Sequence, residues 1–344
     1  MGETIDDGGE FLRQAAICRA MNSPFSASVL EAGIRQLARG PQTARIVAEW
    51  PGNRGAAAVA LRFNGGMHAL ARSRATPGLV KLFADLRGDF DAVIGEALEA
   101  EDAFMARWMA GVPQTNEVAR AGAIVAGLLV AAKRFGMPFE LLELGSSAGL
   151  NLNLARYAYD LGGTLAGDPT SAVRIKPEWR GPKPAAAVLK VQSARGVDMS
   201  PLDLGDPAAA ERLLSFVWAD QPERAGRLEA AIDIAHANPP QIDRGDAVEW
   251  IAARLSEPQA AGECRAIFHS IVLQYLSPEA RAAVKDAITD AGARATAERP
   301  LAWISFEWDA KRSNVRLGLR TWPDGDVRDL ATCHAHAAWI EWHQ

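Results

Sequence analysis

The chain has 344 residues, 49% hydrophobic and 23% charged, so it can bury a sizeable core in one large domain or two ordinary ones and is not a disordered chain. Its formal net charge of −5, with no basic block and no basic stripe interleaved with aromatics, argues against nucleic acid as a partner. Three widely separated cysteines, Cys18, Cys264 and Cys333, make no disulfide framework and suit a reducing cytoplasm.

The first ten residues are acidic and lack the apolar segment of a signal peptide. The longest apolar run, Ala121 to Ala132, is too short to span a bilayer. A cytoplasmic chain with no membrane partner is expected.

Residues 9 to about 135 read as helical. Phe11, Leu12, Ala15, Ala16 and Arg19 fall at helical spacing, and Ser23-Pro24 is a start signal for the segment Ser26 to Leu37. Trp50-Pro51-Gly52-Asn53 is a turn. Ala56 to Ala71 suits a helix, weakened at Gly65-Gly66 by roughly 1 kcal/mol per glycine. Phe90 to Met109 is a long amphipathic stretch. An all-helical cap domain over residues 1–135 is expected. Within it, Pro113-Gln114-Thr115-Asn116-Glu117 precedes the apolar helix Val118 to Phe135. Thr115 or Asn116 can cap that helix; alternatively Gln114, Asn116 and Glu117 face a ligand.

The organising stretch is Pro138 to Asn153. A short apolar run carrying Glu143 breaks into Gly145-Ser146-Ser147-Ala148-Gly149 and resumes through Leu150. That pattern predicts a buried strand, a glycine turn that brings backbone N–H groups to a ligand, and a helix from Leu150 to Tyr159. Residues 160–184 look like an insertion.

Strands are expected over Ala186 to Val191, Arg195 to Met199, Gln241 to Arg244, Arg265 to Val272, Leu301 to Trp308, Val315 to Trp322 and part of Val327 to Trp342. Helices are expected over Ala208 to Trp218, Glu223 to Ala237, Ala247 to Leu255 and Pro278 to Ala291. Pro323-Asp324-Gly325-Asp326 is a hairpin turn. Strands alternating with helices over residues 136–344 give an α/β domain, a mostly parallel sheet with an antiparallel edge hairpin. Ligands of such sheets bind outside the C-terminal strand ends. Glu143 with its turn, Asp198, Gly245-Asp246 and His269-Ser270 all fall there.

The dinucleotide fingerprint G-x-G-x-x-G/A fails at Ser147 and Leu150, and no G-K-[ST] follows for a P-loop. The pattern acid-x-G-x-G-x-G fits at Glu143, Gly145 and Gly149, with Ser147 in place of the middle glycine. Read as a whole, the chain resembles the bacterial family labelled "domain of unknown function 2332". The matching stretches are Pro113 to Glu117, Glu143 to Asn151, Trp218-Ala219-Asp220-Gln221 and Phe268 to Tyr275. The second half also resembles class I S-adenosylmethionine-dependent methyltransferases of Rossmann-like fold. That resemblance implies a cofactor site at Glu143, Gly145, Ser146, Ser147 and Gly149, with Asp198 on the ribose, Asp246 and Ala247 near the adenine, and His269 beside them. The charge favours a small-molecule acceptor, with His269 and Tyr275 as catalytic candidates and Gln114, Asn116, Glu117 and Gln274 expected to line the substrate side.

An acid at a strand end suits a vicinal diol, because a carboxylate accepts two hydrogen bonds. Methyl transfer needs little beyond positioning an in-line nucleophile. The alternative reading is a non-catalytic or regulatory protein that keeps the fold and binds a nucleotide-like ligand. His334 and His336, beside Cys333, lack the three or four converging ligands of a metal site, so no metal is expected. Trp218 to Gln221 reads either as a lid or as an interhelical turn.

Overall fold

The computed structural model describes residues 8–344, so the opening residues 1–7 lie outside the described part. The chain divides into two compact units. One takes the chain up to Thr115 together with Asp206–Gly226; the other takes Asn116–Gly205 and Arg227–Gln344.

The first unit is helical, with α1 (Gly9–Ala20), α2 (Pro24–Gln36), α3 (Pro41–Ala48), α4 (Val59–Arg72), α5 (Pro77–Asp85) and α6 (Phe90–Ala110). The next helix, α7 (Ala121–Phe135), belongs to the second unit, whereas α8 (Pro207–Ser215) returns to the first. The expected boundary at residue 135 is therefore corrected to one near 115, with a second excursion at 206–226. The reason lies in α7: almost every side of it is apolar and buried, and it covers a sheet. An apolar girdle of that kind marks a helix enclosed by its own domain.

Phe11, Leu30, Phe63, Met67 and Leu98 form the centre of the helical core, with Phe11 and Phe63 edge to face at 5.2 Å. Gly65 and Gly66 do not interrupt α4. A Cβ at Gly65 would stand 2.8 Å from the Phe216 ring, and one at Gly66 would stand 2.7 Å from the Met105 sulfur. The glycines admit those side chains, and close packing offsets their low helix propensity.

Polar side chains finish the helix ends. Buried Arg62 donates to the carbonyls of Met109 at 2.9 Å and Gly111 at 2.6 Å, at the C-terminus of α6. Asp102 accepts from the backbone N–H groups of Gln42 and Thr43, both at 2.8 Å, at the start of α3. The start of α2 has no cap of its own. Asp220 supplies one from far along the chain, accepting from Phe25 N–H at 2.9 Å, from Ser26 Oγ at 3.3 Å and from Ser23 Oγ. Gln221 donates to the Met21 carbonyl at 3.1 Å. Trp218 to Gln221 is thus a staple inside the helical unit.

The second unit is an α/β layer structure. Its strands are β1 (Phe139–Leu144), β2 (Ala158–Leu161), β3 (Thr164–Gly167), β4 (Arg174–Ile175), β5 (Glu178–Arg180), β6 (Val191–Asp198), β7 (Gln241–Arg244), β8 (Cys264–Ser270), β9 (Leu301–Trp308), β10 (Val315–Trp322), β11 (Asp326–Cys333) and β12 (Trp339–Trp342). The nine-stranded sheet has the order β5-β12-β11-β10-β9-β8-β1-β6-β7. From β7 across to β9 every pairing is parallel. β9 to β12 form an antiparallel meander, and β5 closes the edge in parallel with β12. The antiparallel part is therefore longer than the expected hairpin and is not the edge.

α9 (Pro222–Ala237) leads into β7, α10 (Ala247–Ser256) follows it, and α11 (Pro278–Ala293) joins β8 to β9. α10 and α11 pack on Leu142, Leu144, Ile267 and Leu301. Gly127 of α7 lies against Ile304 on the other face.

Two local expectations fail. Of the two strand candidates between Ala186 and Met199, the first is irregular up to Lys190, and a single strand, β6, runs from Val191 to Asp198. The helix expected after the glycine turn is a 3-10 segment, Leu150–Arg156, followed by β2. Leu150, Leu152 and Leu154 alternate with Asn151 and Asn153, which is not a helical period, and asparagine competes for local backbone hydrogen bonds. The insertion at 160–184 builds the small sheet β3-β2-β4 and donates β5 to the large one.

Asp220→Ala removes the cap of α2 and leaves three donors without their carboxylate. It should cost about 2 kcal/mol of stability, read as a lower denaturant midpoint by circular dichroism. An unchanged midpoint would show that the staple contributes nothing.

Candidate functional site

The strand order reverses at β1, which lies between β6 and β8. The C-terminal ends of β1, β6, β7 and β8 carry Glu143 with its turn, Asp198, Gly245-Asp246 and His269-Ser270, as the sequence implied.

The turn itself is left-handed at alternate residues: φ is +70° at Gly145, +55° at Ser147 and +70° at Gly149. Ser147 takes the conformation that glycine would take freely, at a cost of roughly 1–2 kcal/mol. Two hydrogen bonds hold it there. Its N–H donates to Asp198 Oδ2 at 2.9 Å, and its carbonyl accepts from Leu202 N–H at 3.2 Å.

The other turn amides also point inward. Gly145 and Ser146 donate to the Val197 carbonyl at 2.9 and 3.0 Å, and Leu150 donates to Asn116 Oδ1 at 3.0 Å. The space beside each glycine is taken as well. A Cβ at Gly145 would stand 2.5 Å from Val272, and one at Gly149 would stand 2.7 Å from Pro240. The small residues of this turn admit the chain's own side chains. The 3-10 segment behind the turn is too short to supply a helix-dipole anion site.

Glu143 is buried, and its Oε2 has no hydrogen-bond partner among the described residues. Burial raises its carboxyl well above the usual range and the charge of Asp198 adds to that, against a lowering by the Ser146 hydroxyl. Burial and the Asp198 charge both favour its neutral form. Gly196 is its neighbour across the β1–β6 ladder, and the missing side chain there makes room for Ser146.

Asp198 accepts from Ser147 N–H and also from Ser200 N–H at 2.8 Å. Asp246 is the N-cap of α10, accepting from Val248 N–H at 2.8 Å and Glu249 N–H at 3.2 Å, with Ala247 the first helical residue. Each carboxylate keeps lone pairs for a further donor.

His269 is fully buried and locked. Trp303 Nε1–H donates to its Nε2 at 2.9 Å, so the ring proton sits on Nδ1 and is donated to Glu307 Oε1 at 2.7 Å. That same oxygen accepts from Val272 N–H at 2.9 Å and Leu273 N–H at 3.3 Å. Burial alone would raise the Glu307 carboxyl, but the hydrogen bonds from His269 and these two amides outweigh it and hold the group below its ordinary range. The expectation of His269 as a catalytic group is corrected accordingly: with both nitrogens engaged in the core, it positions the β8–α11 loop. Glu307 and Trp303 were not foreseen. Their signal in the sequence is one acid inside the apolar run Leu301 to Trp308.

Tyr275 is 75% exposed, on a short 3-10 turn after β8, and Gln274 donates to the Ile271 carbonyl at 3.5 Å. Of the Pro113–Glu117 stretch, Asn116 braces the glycine turn through Leu150, and Glu117 caps the 3-10 turn Val118–Arg120 by accepting from Ala119 N–H at 3.2 Å. The cap is thus Glu117, in place of the expected Thr115 or Asn116. Gln114 lies in the other unit. Arg120 ties this brace to the site by donating to the Ser270 carbonyl at 3.1 Å.

His334 and His336 lie in the turn between β11 and β12, outside the strand expected to carry them, with rings 5.5 Å apart. Among the described residues no group of three metal-ligating side chains converges.

A family model described as "Uncharacterized protein conserved in bacteria (DUF2332)" matches residues 9–342. The chain belongs to this family. No curated protein matches it. The stretches that carry the DUF2332 resemblance now have physical roles. Pro113–Glu117 braces the turn through Asn116, Glu143–Asn151 is the turn, Trp218–Gln221 caps α2, and Phe268–Tyr275 holds the locked histidine.

Two pH-linked outcomes follow. The unfolded chain loses the Glu143 proton in the ordinary carboxylate range, whereas the folded chain holds it to higher pH, so this group lowers stability as pH rises above that range. Relative to the unaltered protein, Glu143→Gln should gain stability with rising pH, by up to about 1.4 kcal/mol per unit, in denaturation series at pH 5, 6 and 7. Parallel series would refute a buried neutral acid. Glu307 works in the opposite sense: its contribution is present above the ordinary carboxylate range and is lost as pH falls through its lowered folded value. Glu307→Ala strands the His269 and two amide donors and should cost about 3 kcal/mol at pH 7 but less in acid, by the same assay.

Proposed function

We propose that this protein is an S-adenosylmethionine-dependent methyltransferase acting on a small molecule, built on a Rossmann-like, methyltransferase-type domain. The observation that carries the reading is the gathering of Glu143 with its turn, Asp198, Asp246 and His269 at adjacent parallel strand ends around the reversal at β1. The strand order β7-β6-β1-β8-β9 agrees with the 3-2-1-4-5 part of the doubly wound order.

The residues fit the cofactor in their donor set. Asp198, half-buried at the end of β6, has free lone pairs for ribose hydroxyls, and Asp246 offers the same near the adenine end. The unpartnered Glu143 Oε2 is a buried acceptor beside the turn. When bound, the cofactor supplies an electrophilic methyl group. The chain's part is to orient and to exclude water, with no internal base required.

A second reading, ligand binding without turnover, is favoured by the locked state of His269 and by the filling of the glycine spaces by Val272 and Pro240.

Calorimetric titration of the full chain with S-adenosylmethionine and S-adenosylhomocysteine tests the proposal. Asp198→Asn and Asp246→Asn keep an amide oxygen for capping but lose the charge. Micromolar binding should weaken about tenfold in each, the loss of one charge-assisted hydrogen bond. No binding of either compound by folded protein would end the cofactor assignment. Binding without methyl transfer to any acceptor would select the second reading.

A further inference from the structure

A cavity of about 440 Å³ opens on the α7 face of the sheet. Its register places it far from the glycine turn. Leu319 and Thr321 of β10 pair with Ile304 and Ala302 of β9, and the β9 end that carries Ala302 is the N-terminal one. The cavity therefore sits toward the end of the sheet opposite the strand ends already described. Its volume is in the range that holds a small organic ligand.

The floor is apolar, formed by Val130 of α7, Leu319 and Trp342, with the Thr321 hydroxyl among them. The rim is cationic. Arg134 pairs with Asp324 and, at 3.1 Å, with Asp326, and Arg328 pairs with Asp326 at 2.7 Å. Those two arginines and two acids balance. Lys133 and Lys183, both exposed on the same rim, have no ion pair among the described residues; Asp160, whose carboxylate feels the charge of Lys183, is itself paired with Lys176 at 2.8 Å. A hydrophilic surface lysine is ordinary, but these two overlook an apolar floor, and one of them is held on a fixed backbone. Pro182 and Pro184 flank Lys183, the Pro182 carbonyl accepts from Trp179 Nε1–H at 2.8 Å, and the Pro184 carbonyl accepts from Thr164 Oγ1 at 3.0 Å. A rim cation presented in this way has little backbone freedom left to lose on binding.

We propose that this cavity binds an amphipathic organic anion, its alkyl or aromatic body on Val130, Leu319 and Trp342 and its carboxylate or phosphate head between Lys133 and Lys183. The site is independent of the strand-end site, so its test stands whatever S-adenosylmethionine does.

The full chain is titrated calorimetrically with octanoate, octyl phosphate and octan-1-ol. At least one anion should bind saturably, and octan-1-ol should bind at least about tenfold more weakly, the worth of one desolvated charge contact. Octanoate alone binding assigns a carboxylate, octyl phosphate alone a phosphate. Lys133→Glu and Lys183→Glu, both at exposed positions, should each weaken the anion at least about tenfold and remove most of its salt dependence while leaving the melting temperature unchanged. Failure of both anions to bind, equal binding of octan-1-ol, or binding indifferent to the two reversals would overturn the proposal.

Discussion

Parallel pairing is the constraint on which the second unit depends. Neighbouring parallel strands cannot be joined by a tight turn, so every connection among β1, β6, β7, β8 and β9 leaves the sheet and crosses back. The loops at one end are thereby gathered together, and each brings backbone N–H groups that need acceptors. The acids at that end meet the need: Asp198 serves Ser147 and Ser200, Asp246 serves α10, and Glu307 serves the loop after β8. Wiring and the proposed cofactor recognition thus draw on two of the same carboxylates, Asp198 and Asp246. A ligand that takes a lone pair from Asp198 touches a group already fixed in place by the chain.

Glu143 and Glu307 illustrate how environment divides one side-chain type into two species. Glu307 is surrounded by donors and carries its charge at little cost, whereas Glu143 has the Ser146 hydroxyl against burial and a neighbouring Asp198. Carboxyls driven apart in this way are a feature of working sites, where one serves as acid and the other as anion. Here Glu307 is committed to the histidine and the loop, and Glu143 keeps a buried polar atom without a partner among the described residues.

Much of this was legible in the sequence because the strands are bounded by strong signals. Gln241–Arg244, Leu301–Trp308 and Val315–Trp322 form as read, each a short apolar or alternating run ended by Gly, Pro, Asp or Asn. The strand-end placement of Glu143, Asp198, Asp246 and His269 followed from those boundaries. What was not legible was non-local. Nothing near Asp220 says that it caps a helix starting at Pro24, and nothing near His269 names Trp303 as its donor. Leu150–Arg156 was misjudged through its leucines, when the asparagines between them carried the information. The cap domain was drawn too long because α7, helical like its predecessors, differs from them in being buried on nearly every side.

The helical unit is assembled from two separated pieces of chain. During synthesis its first 115 residues leave the ribosome long before Asp220 does, and the start of α2 waits without its cap while β1 to β6 are made. Chains grow at about 5–20 residues per second, so that interval lasts several seconds or more. Until then the start of α2 relies on the contacts of the early helices themselves, such as that between Phe11 and Phe63. The order in which the chain is made therefore asks more of that aromatic core than the finished molecule does.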